Sequence, residues 1–404
     1  MRSERPLLIF VSDIHLTDEL NADALPKAEA FERFWVRIQA ARGTRPAELC
    51  FGGDLFDLVR SPTWLRGKHR PYHDPGRGVI NQVNKIVDGV LEREKAFFTA
   101  IRKRVLSGQL SIHYLLGNHD RLLKWAPSAR KKIWKALTGE ERAVQFPREL
   151  VFPDHGVLAY HGNTGDIIND DPHGGGTIGD AIGVELITQF PQRVRELIGR
   201  DYSELDDIDD VRPIYAVPAW VRRLGVIRRE LLAPTQRSWA GLVEDFLSEP
   251  FVKAWMRSKH RRLGLDPGKK LRLLLELSTR RLMAHTHDQR LTRLYKYFQH
   301  AFDGRMARVA AEELSRPKRK GLRYVVNGHS HFSSMVPLGN VGGAPAVYFN
   351  TGTWRTVHQI GYDVGGRPSF LPYDSMCYLV FFPGDDAMGR DYEWWTGAMV
   401  RTHE

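Results

Sequence analysis

The chain has 404 residues, of which 59 are Lys or Arg and 48 are Asp or Glu, and its formal net charge is +11. With 42% apolar residues it has the composition of a folded globular protein, which excludes a disordered or collagen-like chain. Two cysteines exclude a disulfide-based scaffold, and no apolar run approaches the ~18 residues of a membrane span. We expect a cytoplasmic protein, because the apolar run near the N-terminus, residues 7–11, is too short for a signal peptide.

Six short apolar runs are each followed by polar residues, and we predict that each run is a buried strand. In chain order they span residues 7–11, 48–51, 112–116, 157–160, 324–326 and 346–349. Helical patterns over residues 28–41 and 92–105 separate the first three runs. Strands that alternate with helices predict an α/β core of layered sheets, in which ligands bind beyond the carboxyl ends of the strands.

The strand pattern stops near residue 165 and resumes near residue 322. Between these points lie helical patterns punctuated by prolines, over residues 220–232, 239–247, 251–260, 271–283 and 291–311. We therefore predict a core formed by residues 1–165 and 322–404. Residues 166–321 are predicted to be a large, mainly α-helical cap inserted into that core.

The positive charge is concentrated in the predicted cap. Residues 211–320 contain 25 Lys or Arg and 10 Asp or Glu, whereas the rest of the chain contains 34 and 38. Such a segment can attract an anionic partner, such as a phosphoester, a nucleic acid or the head group of a lipid-linked substrate at a membrane surface. The alternative is that these charges only solvate the exposed faces of the helices.

Five short motifs in the predicted core contain residues of types that commonly bind metals, and each motif follows a predicted strand. In chain order they are Asp13-Ile14-His15, Gly53-Asp54, Gly117-Asn118-His119-Asp120, His161-Gly162 and Gly328-His329-Ser330-His331. Each motif alone is a weak signal. Together they favour a pair of divalent cations, which needs a bridging carboxylate together with carboxylate, amide and imidazole ligands.

The content and order of these motifs resemble the calcineurin-like metallophosphoesterases, whose fold is a two-sheet β-sandwich flanked by helices. The resemblance implies that one metal is held by Asp13, His15, Asp54 and His331. It implies that the other is held by Asp54, Asn118, His161 and His329. The two divalent ions are expected to be Mn²⁺, with Fe, Zn and Mg as alternatives that the same ligands accept.

The resemblance also implies catalytic roles for His119 and Asp57. His119 matches the histidine that protonates the leaving oxygen, and Asp57 matches the carboxylate that orients this histidine in the serine/threonine phosphatase branch. The implied reaction is hydrolysis of a phosphomonoester, phosphodiester or pyrophosphate by a hydroxide that bridges the metals. Arg60 could bind a phosphate and Asn350 could touch the substrate; the alternatives are a solvated loop arginine and a structural turn.

Within the family, residues 12–16, 53–57 and 350–354 are similar to the UDP-2,3-diacylglucosamine hydrolase branch. The chain departs from that branch at His119, where the branch usually has Arg, and in its much longer insertion. The Gly-Asn-His-Asp form is shared by general phosphodiesterases and nucleases. A nuclease that uses the basic cap to act on DNA or RNA is therefore one alternative, and a non-catalytic binding module on the same fold is another.

Overall fold

The structure is a computed structural model that describes most of the chain. The described residues are 5–19, 25–170, 175–212, 214–259, 267–283, 304–341, 343–362, 364, 368–384, 386 and 388–400. Residues 260–266 and 284–303 of the predicted cap lie outside these ranges, and with them lies most of the predicted helix over 291–311.

The described residues form twelve strands. In chain order these are β1 (Leu7–Val11), β2 (Ala47–Phe51), β3 (Leu110–Tyr114), β4 (Glu149–Phe152), β5 (Val157–Tyr160), β6 (Val211–Arg212), β7 (Tyr324–Asn327), β8 (Ser333–Val341), β9 (Ala344–Thr351), β10 (Thr356–Tyr362), β11 (Pro368–Phe381) and β12 (Tyr392–Met399). All six predicted strands are confirmed, and their ends lie within about two residues of the prediction. The six other strands were not predicted.

The strands form two mixed sheets. The first has the order β3-β2-β1-β11-β10-β6, and β12 also pairs with β11; the second has the order β4-β5-β7-β9-β8. β1, β2 and β3 are parallel to one another, as are β5, β7 and β9. Parallel neighbours bring the carboxyl ends of these strands, and the polar segments that follow them, to a common edge of each sheet.

The two sheets pack face to face. Phe10 and Phe381 of the first sheet share a buried apolar cluster with Tyr324 and Phe349 of the second. Side chains from two sheet faces that interlock in this way form the core of a layered structure. The fold is therefore α/β, with two mixed sheets flanked by helices.

Helices cover the outer faces of both sheets. In chain order the α-helices of the described residues are α1 (Lys27–Arg42), α2 (Arg77–Arg93), α3 (Lys95–Leu106), α4 (Pro127–Thr138), α5 (Ile178–Ala181), α6 (Gln189–Ile198), α7 (Val217–Ile227), α8 (Leu232–Ser248), α9 (Pro250–Ser258), α10 (Pro267–Met283) and α11 (304–314). A π-helical stretch, Ile182–Thr188, joins α5 to α6. The predicted single helix over 92–105 is wrong at its start, because Glu94 separates two helices, α2 and α3.

The helices α1 to α4 pack on the first sheet, and α11 packs on the second through Met306 and Leu314. The helices from α5 to α10 supply most of a second apolar cluster, which includes Trp220 and Trp239 and is joined by Tyr72 and by Phe370 of β11. β6 follows α6 in the chain and pairs in parallel with β10 of the first sheet. Residues 211–212 thus pair this part of the chain with the first sheet. In the described ranges, no helix combines the length and apolar character that a membrane span requires.

Candidate metal centre

The segments that follow β1, β2 and β3 meet at one edge of the first sheet. The backbone N–H of Asp13 donates to the carbonyl of Gly53 at 3.1 Å, and that of His15 donates to the carbonyl of Asp54 at 3.0 Å. The N–H of His119 donates to Oδ1 of Asp54 at 2.8 Å. Three segments that are distant in sequence are therefore held together around the Asp54 carboxylate.

Four of the predicted metal ligands form a first group, in which ring nitrogens and carboxylate oxygens converge. Nε2 of His15 lies 3.0 Å from Nε2 of His331. Oδ1 of Asp13 lies 3.4 Å from Nε2 of His331 and 3.7 Å from Nε2 of His15. Oδ2 of Asp54 lies 3.8 Å from Nε2 of His15. Imidazole and carboxylate donors converging in this way are suited to a divalent cation.

Asp54 also belongs to a second group, on the other side of its carboxylate. Nε2 of His161 lies 3.0 Å from Oδ2 of Asp54 and 3.1 Å from Oδ1 of Asn118. Asp13, Asp54 and His161 have ligand atoms close enough to share one ion. The chain therefore has buried His and Asp groups positioned to hold a metal ion, and both Asp54 and Asp13 have ligand atoms within reach of the two groups.

His329 borders the second group. Its ring lies 5.3 Å from the ring of His161, centroid to centroid, and its backbone N–H donates to Oδ2 of Asp13 at 3.0 Å. Its Nε2 lies 2.9 Å from Oδ2 of Asp166, a residue that no sequence motif singled out. All seven residues predicted to be metal ligands thus lie in one contiguous cluster.

Backbone strain is concentrated at these same positions. Among the described residues, every non-glycine residue with a positive φ belongs to the predicted ligand set: Asp13, His15, Asp54, His329 and His331, with φ between 53° and 73°. This conformation is uncommon for residues with a Cβ, and a fold keeps it only where the surroundings hold it in place. This backbone conformation places the side chains of Asp13 and His15, two residues apart on one segment, at the same site.

The electrostatics around Asp54 and His161 favour positive charge, whereas burial and nearby cations lower the pKa of His331 well below its usual range. Burial alone would lower the pKa of His161, but the carboxylates of Asp54 and Asp13 outweigh that effect and raise the pKa to about 10. Burial would raise the pKa of Asp54, and the neighbouring histidines hold it below its usual range. Buried carboxylates are stabilised only when a cation or hydrogen-bond donors balance them. A divalent ion with these carboxylate, imidazole and amide donors satisfies the same requirement, so the residues present fit a metal.

Asp57 connects the first group to His119. Its Oδ1 lies 2.8 Å from Nδ1 of His119, and its Oδ2 lies 3.0 Å from Nδ1 of His15. The backbone and side chain of Arg60 donate to the same carboxylate, at 3.0 and 2.8 Å. Burial would raise the pKa of Asp57, but Arg60 and His119 hold it well below its usual range. One ionised carboxylate therefore orients a predicted ligand and the predicted proton donor.

The pKa of His119 is raised. Burial acts to lower it, and the carboxylates of Asp57 and Asp54 more than compensate. The side chain of His119 is 18% exposed, whereas those of His15 and Asp57 are fully buried. His119, whose protonated form these carboxylates favour, is thus held beside the cluster on its accessible side.

The structure also locates the two residues predicted to contact substrate. Arg60 is buried and forms ion pairs with Asp57 and Asp209. Asn350 is buried, donates to the carbonyl of Gly328 and accepts from the N–H of Gly352 at 3.0 Å. Both side chains hold neighbouring segments of the chain in place. Their contact with a substrate stays a prediction.

Four further residues near the site were not found from the sequence. Arg355 donates to Asp209 and Asp210 at 2.7 Å each, and Arg212 donates through Nε to Nδ1 of His331 at 3.1 Å. Burial and the nearby arginines lower the pKa of Arg212 to about 9. Metal binding through Nε2 of His331 requires a proton on Nδ1, so Arg212 must then shift. The acidic run at residues 204–210 was the available signal, but such a run is also typical of a connecting segment.

Glycines give the ligand carboxylates the space that they occupy. A Cβ at Gly117 would overlap Oδ1 of Asp54, and a Cβ at Gly328 would overlap Oδ2 of Asp13. Asp120, next to this site, accepts from the N–H of Gly117 at 2.6 Å and from the hydroxyl of Tyr114 at 2.8 Å. The tight turn after β3 is therefore built around the Asp54 carboxylate.

We predict that Gly117→Ala weakens metal binding although it removes no ligand, because its methyl group displaces the Asp54 carboxylate. We expect an affinity loss of about 10-fold or more, the range found when groups that position metal ligands are changed. Isothermal titration with Mn²⁺ measures it. Gly67→Ala is the matched control, because a Cβ at Gly67 meets no atom within 4 Å. Equal Mn²⁺ affinity in both variants would contradict the prediction.

Comparison of the sequence with models of known protein families finds no match, and comparison with curated proteins finds none either. The chemistry available to the cluster is therefore inferred from its own geometry.

Proposed function

We propose that this chain is a dinuclear metal-dependent phosphoesterase of the calcineurin-like type. One observation carries the proposal: the Asp54 carboxylate is shared by two groups of ligands, and a protonatable histidine, His119, is held beside them. Asp54 Oδ2 lies 3.0 Å from His161 and 3.8 Å from His15, and Asp54 Oδ1 accepts the N–H of His119 at 2.8 Å. A shared carboxylate is the arrangement that a two-metal site requires.

The two ions would be held by the residues clustered in the centre. Asp13, His15, Asp54 and His331 are proposed to hold one, and Asp54, Asn118, His161 and His329 the other. When bound, divalent ions stabilise charge on phosphoryl oxygens and lower the pKa of bound water. We propose Mn²⁺ as the ion, with Fe, Zn and Mg as alternatives, since these donors accept each of them.

The chain's own residues would orient and protonate the substrate. Nδ1 of His119 is bonded to Asp57, so the proton that His119 can deliver is the one on Nε2. Asp57 stabilises the protonated ring and fixes its orientation, as an orienting carboxylate does for a general acid. His119 would then donate the Nε2 proton to the leaving oxygen of a phosphomonoester, phosphodiester or pyrophosphate.

The proposal is tested by removing and restoring metal. We expect the purified protein to lose phosphoesterase activity after treatment with chelator and to regain it with Mn²⁺, measured with bis(p-nitrophenyl) phosphate and p-nitrophenyl phosphate. Zn²⁺ and Mg²⁺ are added in parallel to rank the ions. If neither substrate nor a pyrophosphate is hydrolysed with any ion, the proposal is wrong. Metal binding without turnover would then favour the alternative of a non-catalytic binding module.

The basic insertion bears on which phosphoester is the substrate. In the described part of the chain, three arginines of residues 211–320 are paired with nearby carboxylates: Arg228 with Glu204, Arg272 with Glu276 and Arg316 with Glu313. Such pairs reduce the positive field that a nucleic acid would meet. We therefore propose that the substrate is an anionic phosphoester other than a nucleic acid, and we treat a nuclease as one possible outcome of the test. A nuclease would bind DNA or RNA with an association constant whose logarithm falls linearly with the logarithm of the salt concentration.

A further inference from the structure

A carboxylate outside the proposed ligand set lies against one of the ligands. Asp166 belongs to the segment that follows β5 and leads into the helical insertion. Its Oδ2 lies 2.9 Å from Nε2 of His329, and both side chains are largely buried, with exposed fractions of 11% and 6%. A contact between residues 163 positions apart at this depth depends on the tertiary structure.

The Asp166 carboxylate is held in this position by its own loop. Its Oδ1 accepts the backbone N–H of Ile168 at 3.0 Å, and its Oδ2 accepts Nδ2 of Asn169 at 2.7 Å. The N–H of Asn169 donates to the Asp166 carbonyl at 3.0 Å. These three local hydrogen bonds hold the loop and orient the carboxylate independently of its contact with His329.

A carboxylate beside Nε2 decides which nitrogen of His329 can bind a metal. Asp166 is acceptor-only when ionised, so the hydrogen bond requires the proton of the ring on Nε2. Nδ1 is then the ring nitrogen that carries a lone pair and is chemically able to bind a cation. Histidines that bind metals commonly donate their other N–H to a carboxylate, which fixes the tautomer and the ring orientation.

We infer that Asp166 is a positioning residue that holds His329 in the Nε2–H tautomer, so that His329 binds the second metal through Nδ1. The inference rests on the proposed function, since it assumes that His329 is a ligand. It also assigns a role to the insertion: its first loop supplies the outer support of one metal position. Binding of the second ion and the conformation of this loop are therefore linked.

Mn²⁺ titration followed by electron paramagnetic resonance of the free ion tests this inference, because it counts bound ions without using activity. We expect Asp166→Ala to lower the affinity for the second Mn²⁺ ion by about 10- to 100-fold, as for other residues that orient metal ligands. The affinity for the first ion should stay unchanged. Asp166→Asn keeps the size of the side chain and one acceptor oxygen, so it is expected to lose less Mn²⁺ affinity than Asp166→Ala.

Asp170→Ala is the matched control. Asp170 lies in the same loop, and its Oδ2 accepts the N–H of Gly165 at 2.8 Å, so this variant also removes a loop carboxylate. We expect Asp170→Ala to change the second Mn²⁺ affinity by less than about 3-fold, which is under half the free energy of a 10-fold change. In ¹⁵N-histidine spectra of the metal-free protein, we expect Asp166→Ala to move the His329 proton off Nε2 in part of the population, and Asp170→Ala to leave it in place.

The inference is wrong if Asp166→Ala binds both ions with wild-type affinity, if Asp170→Ala weakens the second ion equally, or if the wild-type chain binds fewer than two ions. A wild-type chain that binds two ions and hydrolyses no phosphoester overturns the proposed function alone. Retained activity with unchanged binding in Asp166→Ala overturns this inference alone.

Discussion

His119→Ala is expected to lower the kcat of the Mn²⁺-loaded protein by about 10²- to 10⁴-fold, the usual contribution of a positioned proton donor. The physical reason is that the Asp57 carboxylate, 2.8 Å from Nδ1 of His119, raises the pKa of His119 and so favours its protonated form at the accessible side of the cluster. Steady-state kinetics with a phosphodiester measures the effect. Mn²⁺ content should stay at the wild-type value, since His119 is not in the proposed ligand set.

His113→Ala is the control for this experiment. His113 lies on β3, six residues before His119, and its side chain is about one-third exposed and bonded to Glu48 at 3.0 Å. Its removal is expected to leave kcat unchanged. Wild-type turnover in His119→Ala would contradict the role of this residue.

The pH dependence separates proton donation from a purely structural role of His119. Because the donor must be protonated, kcat should fall as the pH rises through the pKa of His119, which the neighbouring carboxylates raise. Asp57→Asn removes one of these charges, so the fall is expected to begin at a lower pH. An unchanged profile in Asp57→Asn would show that Asp57 does not tune His119.

Asp54→Asn is expected to reduce Mn²⁺ binding at both positions and to abolish turnover. Asp54 is the only residue proposed to contact both ions, and the amide supplies neither its charge nor its two equivalent oxygens. In the wild-type chain, Mn²⁺ at 100 times its Kd should stabilise the folded state by about 2.7 kcal/mol for each site. The variant should show little of this gain. Thermal unfolding with and without Mn²⁺ measures it.

Asp88→Asn is the matched control for charge removal, because Asp88 is exposed and forms an ion pair with Lys132, at 2.6 Å. It should keep the full Mn²⁺-dependent rise in unfolding temperature. If Asp54→Asn is stabilised by Mn²⁺ as strongly as the wild-type chain, the shared-carboxylate interpretation is wrong.

The strands that carry the site could be predicted from sequence because local signals coincide there. A short apolar run such as residues 7–11 ends at a polar residue, and the same transition occurs before Asp54 and before Asn118. β8 and β12 were missed since their residues are half-buried or exposed, and β10 was missed since its buried residues include the polar Thr356 and His358, so no continuous apolar run marks any of the three. The boundary at Glu94 was missed because α2 and α3 follow each other directly.

The segment predicted to be an insertion shows a similar limit. Its helical character was readable from the spacing of apolar residues between prolines. The pairing of β6 with β10 was not, because a two-residue strand carries almost no periodic signal. Asp209 and Arg212, next to or within β6, contact Arg60 and His331, so this segment reaches the centre.

The sequence by itself determined which residues could bind metal and in what order they follow the strands, because ligand chemistry and apolar runs are local properties. Only the tertiary structure decided how these residues are supported. The family resemblance implied that Asp57 orients His119, but that Asp57 also bonds His15 and that Asp166 reaches His329 came only from the fold. The net charge of +11 belongs to the sequence, but which of its arginines are buried or paired is decided by packing. Such contacts join residues far apart in the chain, and a sequence pattern contains no signal for them.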